Sequence, residues 1–315
     1  MGRYIFVRSC GLLVTLFVLS IIVFTLMHAI PGGPFDLEGG DKGIPVPKVV
    51  RQEILKKYNL DGPLYAQYFH YMSRAVQLDF GRSFSRPSET VMGLIGRTWW
   101  VSFQLGLATF LFALVLGVGL GVTAALHRNR WIDYVSTTFA VGGTVFPNFV
   151  VAVILLVIFG VYLQWLPTNG WGGFKFWIMP LIAYSLLPMS QVARFTRTSM
   201  IEVLGEDFVR TARSKGLSER LVVTRHVLRN ALIPIITLLG QVFADVTTGS
   251  FFIETIFRIP GLGRYFTTSI MERDYPMIMA TTLLLAALFG IINLTTDVLY
   301  AFIDPRIRLG EKETA

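Results

Sequence analysis

Long apolar runs, separated by shorter polar segments, dominate the chain. A transmembrane helix needs about 20 apolar residues, because the hydrocarbon core is roughly 30 Å thick and an α-helix rises about 1.5 Å per residue. Runs near or above this length lie at residues 9–30, 98–126, 134–163, 176–193, 230–253 and 275–303. The pattern predicts an all-α membrane protein with six transmembrane helices.

The first apolar run is interpreted as a retained transmembrane helix, residues 1–30. Its apolar core extends from Cys10 to Met27, which is longer than the roughly 7–15 apolar residues of a secretory signal. The following Met27-His28-Ala29 lacks an A-x-A cleavage pattern. We therefore expect this segment to stay in the membrane.

The distribution of Lys and Arg predicts the orientation. If the N-terminus is inside, the short inner connections carry most of the basic residues, whereas the outer ones cluster in a single long loop. Long loops escape the positive-inside rule, so the short connections decide. We expect both termini in the cytoplasm, with residues 305–315 as a cytoplasmic tail.

The polar loop at residues 31–97 predicts an extracytoplasmic subdomain between the first two transmembrane helices. Pro31-Gly32-Gly33-Pro34 stops the first helix. Apolar residues at helical spacing then predict two short amphipathic helices. These residues are Val49, Ile54, Leu55 and Tyr58, followed by Leu64, Tyr68, Met72 and Val76. Such helices either cap the bundle or contact an external partner.

Composition narrows the class of protein further. The chain is 53% hydrophobic and only 15% charged, and its mean hydropathy is +0.58. The net charge of +8 is spread over short blocks, which disfavours nucleic-acid binding. Cys10 is the single cysteine, so the chain can form neither an internal disulfide nor a cysteine metal cluster.

Motifs for enzymatic chemistry do not occur in the sequence. It contains no G-x-x-x-x-G-K-[ST], no H-E-x-x-H and no G-x-S-x-G. The chain therefore cannot hold ATP phosphates in a P-loop of its own. We predict no catalytic residue, no metal site and no cofactor in this chain.

Ionisable and helix-breaking residues in the apolar runs mark a candidate pathway or gate, because charges are costly in a membrane. Asp245 lies within the fifth run, Thr248 follows it, and Glu254 lies at the outer end; Pro147 should bend or break the third run. For Asp245 the alternative is a polar contact to a neighbouring helix, for example with Gln241 or Thr248. An ion-coupled secondary transporter stays a weaker alternative, since no chain of acidic residues and no internal repeat is visible.

The basic block at residues 194–230 predicts a helix, a turn and a second short helix. Helical spacing continues from Met200 to Lys215, and Gly216 then supplies the left-handed conformation that ends a helix. Ser218 is placed as the N-cap of the second helix. A short amphipathic helix of this kind either docks into a groove on a partner protein or lies on anionic lipid as part of a scaffold.

The same block carries a resemblance to a known family. Arg210-Thr211-Ala212-Arg213-Ser214-Lys215-Gly216-Leu217, followed by Asn230-Ala231-Leu232-Ile233-Pro234, resembles the E-A-A-x-x-x-G … L-P loop of permease subunits in binding-protein-dependent ABC importers. Arg210 and Thr211 replace Glu and the first Ala, as in the dipeptide, oligopeptide and nickel branch. Further motifs of this branch occur in order: Leu60-Asp61-Gly62-Pro63-Leu64-Tyr65, Leu78-Asp79-Phe80-Gly81, Thr248-Gly249-Ser250-Phe251, Glu254-Thr255-Ile256-Phe257, Pro260-Gly261-Leu262-Gly263, Arg273-Asp274-Tyr275-Pro276 and Asp304-Pro305-Arg306.

The resemblance implies the type I permease fold, with residues 98–304 as a five-helix core that contains a cytoplasmic coupling loop at 194–230. It implies a prokaryotic inner-membrane subunit that pairs with a second, paralogous permease, with two ABC ATPases that bind ATP and Mg, and with an extracytoplasmic solute-binding protein. Peptides are the expected cargo, and nickel or a glutathione-like solute is the alternative. The implied coupling residues are Arg210, Thr211, Ala212, Gly216, Leu217, Ser218, Glu219, Leu221 and Pro234.

Overall fold

The structure is a computed structural model that describes residues 2–29 and 61–303, without the side chains of Thr237 and of residues 299–303. The predicted helix at Val49–Tyr58 and the predicted tail lie outside these ranges. The described helices are α1 (Gly2–Ala29), α2 (Leu64–Ala75), α3 (Val91–Leu126), α4 (Trp131–Val145), α5 (Asn148–Leu155), α6 (Lys175–Leu204), α7 (Asp207–Ser214), α8 (Glu219–Leu221), α9 (Leu228–Thr247), α10 (Phe251–Ile256), α11 (Leu262–Met271) and α12 (Tyr275–Ile303). A π-helical turn at Leu156–Tyr162 extends α5, and another at Val222–Val227 joins α8 to α9.

Six candidate membrane spans lie in the described residues, as predicted. Four are single helices, α1, α3, α6 and α12, each long and apolar enough to cross a bilayer. The other two are bent pairs. Trp131–Val145 and Asn148–Tyr162 meet at 100°, and Glu219–Ile236 and Leu238–Ile256 meet at 53°.

The sharper bend lies at the predicted proline. Proline lacks an N–H and disfavours a helical residue before it, so α4 ends at Val145 and Phe146 is extended. Pro147 is the residue that precedes α5, and its carbonyl accepts the first N–H groups of the new helix. Of the two outcomes predicted for Pro147, a bend or a break, the structure shows the break into two helices. Pro188 differs, since α6 continues through it.

The predicted and observed helix boundaries differ at the start of α3 and at the end of α6. α3 begins at Val91 rather than at residue 98, because Val91, Leu94 and Ile95 already bury apolar side chains in a core with Phe80. The predicted limit of the extracytoplasmic subdomain at residue 97 therefore lies inside a helix. α6 likewise runs to Leu204, well beyond the predicted end of its apolar run.

The chain divides into two compact units. Unit 1 contains the residues up to Trp100 together with Gly261–Leu288, and unit 2 contains Val101–Pro260 together with the residues from Phe289 onward. In unit 1, the predicted helix α2 packs on α1, where the Tyr68 and Ser20 hydroxyls lie 2.7 Å apart. The predicted apolar face is buried only in part, because Val76 is 80% exposed.

Unit 2 is held together partly by glycines at helix contacts. A Cβ on Gly121 of α3 would lie 2.5 Å from the Ala193 carbonyl oxygen of α6, and a Cβ on Gly117 would lie 2.8 Å from Val192. Only glycine permits so close an approach, which is the usual packing device of membrane helices. α3 and α6 are therefore in direct backbone contact.

Candidate coupling and pathway sites

The turn after α7 has the geometry that the sequence predicts for Gly216. The Gly216 N–H donates to the Arg213 carbonyl at 2.9 Å, and the Leu217 N–H donates to the Ala212 carbonyl at 3.4 Å. This pair of bonds is the Schellman motif, which needs a left-handed residue after the helix. Gly216 has a φ of 75°, a conformation that costs glycine nothing. The predicted helix end is confirmed.

Three local details of this block differ from the sequence-based prediction. The first helix is interrupted, because α6 ends at Leu204 and α7 begins at Asp207. Ser218 does precede α8 in extended conformation, but its side chain accepts no capping hydrogen bond. The second helix is not a short separate one, since α8 continues through the π-helical turn into α9.

The buried side of the turn is apolar. Val209 and Ala212 of α7 pack with Ala125 at the end of α3 and with Met200 of α6. The same cluster includes residues of the π-helical turn and of α9, namely Val222, Val223, Val227 and Ala231. Because these side chains are closely packed, a displacement of α7 is transmitted directly to three spans.

The opposite side of the turn is exposed and forms what we call the coupling surface. Of the residues implied by the resemblance, Ala212 is buried and Leu217 is partly buried, whereas the others are exposed. Pro234 lies apart from the surface, inside α9. The coupling surface consists of Phe208, Arg210, Thr211, Gly216, Ser218, Glu219 and Leu221. Phe208 and Leu221 keep 41% and 38% of their area exposed, so the surface offers apolar as well as charged contacts.

An ion pair that sequence reasoning missed crosses this turn. Arg213 donates from Nη2 to Glu219 Oε1 at 2.7 Å and from Nε to Oε2 at 3.1 Å. The side chains remain 44% and 59% exposed, so the pair contributes less than about 1 kcal/mol to stability. Its bidentate geometry instead fixes the direction in which α8 leaves the turn. The sequence feature that could have indicated this ion pair is the acidic residue at the start of the second helix.

Glu254, a predicted pathway residue, is fully buried. It accepts a hydrogen bond from the Ser250 N–H at 3.1 Å, while Ser250 Oγ accepts one from the Ile253 N–H at 3.3 Å. The two residues thus cap α10 reciprocally. Gly249, with a φ of 101°, lies against the carboxylate, and a Cβ there would come within 2.9 Å of Oε1. Glu254 shapes the helix end in this structure.

Asp245 and Thr248 behave differently from Glu254. The Asp245 side chain is exposed, and its carboxylate makes no hydrogen bond within the described part of the chain. Thr248 Oγ1 donates to the Asp245 backbone carbonyl at 3.1 Å, not to its carboxylate. The contact between Thr248 and Asp245 therefore involves the backbone of Asp245 and leaves its carboxylate without a hydrogen bond to Gln241 or Thr248.

A second ion pair, also missed, joins α4 to α6. Arg197 donates from Nε and Nη2 to the two oxygens of Asp133 at 2.7 and 2.8 Å. The Asn129 N–H and the Thr137 hydroxyl also donate to this carboxylate, at 3.0 and 3.2 Å. The Asp133 side chain is only 4% exposed. All four donors together compensate the cost of burying the charge.

Unit 1 contains a buried carboxylate, Asp274, which belongs to one of the motifs quoted above. Ser83 and Ser85 donate to it through their hydroxyls, and the Ser85 and Met277 N–H groups donate at 3.3 Å each. Asp274 thereby caps the start of α12 and ties it to the loop after Gly81. We call this cluster of Asp274, Ser83 and Ser85 the Asp274 network.

The surroundings of this network are fixed by aromatic residues. The Tyr275 hydroxyl donates to the Met27 carbonyl of α1 at 3.1 Å, and the Tyr71 hydroxyl of α2 donates to the Pro276 carbonyl at 3.3 Å. Burial raises the pKa of Tyr71 well above its ordinary value. At the rim, hydrogen bonds from the Arg74 guanidinium hold the pKa of Asp79 below its usual range.

Comparison with known families matches nearly the whole chain. Residues 117–309 match the family described as "Binding-protein-dependent transport system inner membrane component", and residues 1–103 match the N-terminal family "Binding-prot-dependent transport system membrane comp, N-term". The chain belongs to this permease family. The coupling surface and the predicted pathway residues all lie within the first match.

Relatives of this permease are similar along their full length. It is 41% identical to the dipeptide transport system permease protein DppB of Bacillus subtilis over 99% of this chain and 100% of that protein. It is 44% identical to the oligopeptide transport system permease protein OppB of Salmonella typhimurium over 98% of this chain and 100% of that protein. The family assignment makes the chain a transport subunit rather than an enzyme, and an inner-membrane protein that works with other ABC subunits and a binding protein.

A solved structure supports the fold of this permease. The inward-facing MetNI methionine ABC transporter matches 67% of this chain and 96% of the solved chain, with a TM-score of 0.56 and 15% sequence identity. At that identity the likeness concerns the fold alone. The predicted type I permease fold is confirmed.

Proposed function

We propose that this permease forms half of the translocation pathway of an ATP-driven peptide importer. Both relatives described above are named as permeases for dipeptides or oligopeptides, and they align over their whole length. We expect the other half to be a paralogous permease, as the resemblance to the dipeptide and oligopeptide branch implies. Two ABC ATPase subunits and an extracytoplasmic solute-binding protein complete the assembly.

The coupling surface carries this proposal. It projects beyond a turn whose opposite side packs on α3, α6 and α9. An exposed helical turn with apolar and charged side chains suits a groove on a partner. We propose that the ATPase subunits bind to this surface. These subunits, in turn, bind and hydrolyse ATP with Mg. The alternative hypothesis, a scaffold that lies on anionic lipid, is supported less well. It requires one continuous apolar helix face, whereas Phe208 and Leu221 lie beside the turn.

Coupling follows from the rigidity of the turn. The Schellman motif at Gly216 and the apolar cluster beneath α7 keep the turn rigid, and the exposed pair of Arg213 and Glu219 guides the direction of α8. A displacement of the coupling surface therefore moves the ends of the packed spans together. Alternating access by such rigid movement opens the pathway to one side of the membrane at a time.

The distribution of Lys and Arg over the short connections indicates that the coupling surface lies in the cytoplasm. The short connections on that side carry most of the Lys and Arg residues, which the positive-inside rule assigns to the cytoplasm. Both termini then lie on the same side. A fusion of alkaline phosphatase or green fluorescent protein after residue 315 tests this, because only the latter is active in the cytoplasm.

Asp245 is the pathway residue that we propose from the predicted set. Its exposed carboxylate on α9 is placed to attract the amino group of a peptide. Glu254, by contrast, stabilises the end of the same bent span. Asp245→Asn should weaken peptide uptake at low peptide concentration, while Glu254→Gln should lower the stability of the protein.

Purification and reconstitution test the assembly and the cargo together. The tagged chain is extracted from its host in mild detergent, its companions are identified by mass spectrometry, and the complex is placed in proteoliposomes. We expect two ATPase subunits and a second permease, with ATP-dependent uptake of labelled dipeptides or oligopeptides. Uptake of nickel but not of peptide would overturn the proposal that peptides are the cargo. Uptake without ATP that collapses with an ionophore would instead identify a secondary transporter.

A further inference from the structure

Unit 2 contains a cavity of about 220 Å³ between α3, α4 and α6 that includes neither the coupling surface nor Asp245. Its walls include Leu120 of α3 together with Ala140 and Val141 of α4. Two guanidinium groups of α6, those of Arg194 and Arg197, lie at one side. The cavity therefore combines an apolar wall with a positively charged end.

The charged end suits an anion. Arg197 uses Nε and Nη2 on Asp133, which leaves its Nη1 group available. Arg194 lies one helical turn away; its carbonyl accepts from the Thr198 hydroxyl at 3.1 Å, whereas its guanidinium makes no hydrogen bond within the described residues. Asp133 already accepts four hydrogen bonds, so it offers nothing to a cation. Two guanidiniums against one carboxylate leave a net positive charge.

The hydroxyl groups of the cavity do not change this balance. Ser190 donates to the Leu186 carbonyl at 2.6 Å, and Thr144 donates to the Val141 carbonyl at 2.7 Å. Each of these two hydroxyls therefore donates its single hydrogen within its own helix. The charged donors in the cavity are the guanidinium N–H groups, which bind phosphate oxygens in bidentate fashion.

Neighbouring aromatic residues indicate the depth of this end. Trp131 and Tyr134 flank Asp133 in sequence and are 73% and 66% exposed. Exposed Trp and Tyr are enriched where a transmembrane helix crosses the lipid headgroups. Further along α4, Phe139 and Val145 are 66% and 65% exposed, as expected of a face in hydrocarbon. The guanidiniums therefore lie at headgroup level, and the apolar wall continues toward the acyl chains.

We propose that this cavity binds a membrane phospholipid, with its phosphate on Arg194 and Arg197 and the start of one acyl chain along Leu120 and Val141. Basic pockets between transmembrane helices are known to select lipid headgroups. A soluble anion such as phosphate satisfies the guanidiniums but not the apolar wall. The site does not depend on the proposed transport function, because lipid binding is measured without cargo or ATP.

Native mass spectrometry of the full protein complex, delipidated in detergent, tests this site. The complex is titrated with phosphatidylglycerol, and the first bound lipid is followed. Arg194→Gln removes one guanidinium without touching the pair between Asp133 and Arg197. Arg220→Gln is the matched control, since it removes another exposed guanidinium that lies outside the cavity. We expect about tenfold weaker binding of the first lipid to Arg194→Gln, and no change for the control.

Further experiments distinguish the phosphate of a lipid from a soluble anion. Thr144→Phe fills the apolar side of the cavity and leaves both guanidiniums in place, so it should also weaken lipid binding. Inorganic phosphate and an acidic dipeptide are added as competitors and should not displace the lipid at equal concentration. Equal losses for Arg194→Gln and Arg220→Gln would overturn the site, and so would displacement of the lipid by phosphate or by the dipeptide.

Discussion

Asp274 in unit 1 and Glu219 at the coupling turn are both carboxylates that join separate stretches of chain. Asp274 is 1% exposed and accepts hydrogen bonds only from neutral groups, the hydroxyls and N–H groups around it. Glu219 is 59% exposed and is held by one guanidinium. The buried network fixes a junction of loop and helix, whereas the exposed pair only guides the direction of a turn.

The difference shows where each region obtains its rigidity. In the Asp274 network, removing the carboxylate leaves several buried donors without a partner, which is costly. At the coupling turn, rigidity comes from the backbone motif at Gly216 and from the apolar cluster beneath α7. A surface that a partner must grip can therefore carry exposed charges without depending on them for its shape.

Asp274→Ala should give the largest effect. It leaves the Ser83 and Ser85 hydroxyls and two N–H groups unpaired, and we expect a loss of about 3 kcal/mol in the free energy of unfolding. Thermal unfolding of the purified protein measures it. Asp79→Ala is the control, because Asp79 and Arg74 form an exposed pair worth less than about 1 kcal/mol. Equal losses for the two variants would contradict the buried network.

Gly216→Val should come next, with a modest cost in stability and a large cost in transport. A β-branched residue at a φ of 75° is strained by about 1–2 kcal/mol, so the turn shifts while the spans stay folded. Coupled uptake and ATP hydrolysis in proteoliposomes measure the effect. Gly173→Val provides the control, since a Cβ at Gly173 meets no neighbouring atom and its φ is ordinary. Normal transport by Gly216→Val would remove this turn from the mechanism.

Arg213→Ala should have a smaller effect on stability, below about 1 kcal/mol, because its partner Glu219 is exposed to water. We expect transport to fall less than in Gly216→Val. High salt should reduce the difference between Arg213→Ala and the unchanged protein, since screening weakens exposed ion pairs. A loss of stability as large as that of Asp274→Ala would contradict the comparison.

Ser218→Ala should have the smallest effect. An N-cap serine is typically worth about 1 kcal/mol, but the Ser218 side chain accepts no hydrogen bond from α8. We expect a change below about 0.5 kcal/mol in thermal unfolding. A loss of about 1 kcal/mol or more would support the cap that the sequence pattern predicts, and would contradict the observed geometry.

The sequence predicts those parts of the permease that depend on local patterns. Hydropathy locates the four single-helix candidate spans and the two bent pairs, Pro147 predicts the break between α4 and α5, and Gly216 predicts the end of α7. Ser218 is placed correctly but its capping bond is not formed. Local patterns indicate where an element ends, and they do not determine which side-chain bonds it makes.

The parts that sequence reasoning misses are contacts between distant residues. Asp133 and Arg197 lie 64 positions apart, and Ser83 and Asp274 lie 191 positions apart. Periodicity within one helix contains no information about such pairs, because they depend on how helices pack. For the same reason the sequence leaves open whether Asp245 or Glu254 is exposed, and the structure separates the two.

Site-specific cross-linking tests the central claim, that the ATPase subunits grip the coupling surface. Cys10, the single cysteine, is replaced by Ser, and a photoreactive maleimide is attached at Ser218→Cys or at the exposed control site Ser88→Cys in unit 1. On illumination of the assembled complex, we predict an adduct with the ATPase subunit from Ser218→Cys and none from Ser88→Cys. Absence of that adduct from Ser218→Cys, or equal adducts from both sites, would contradict the account.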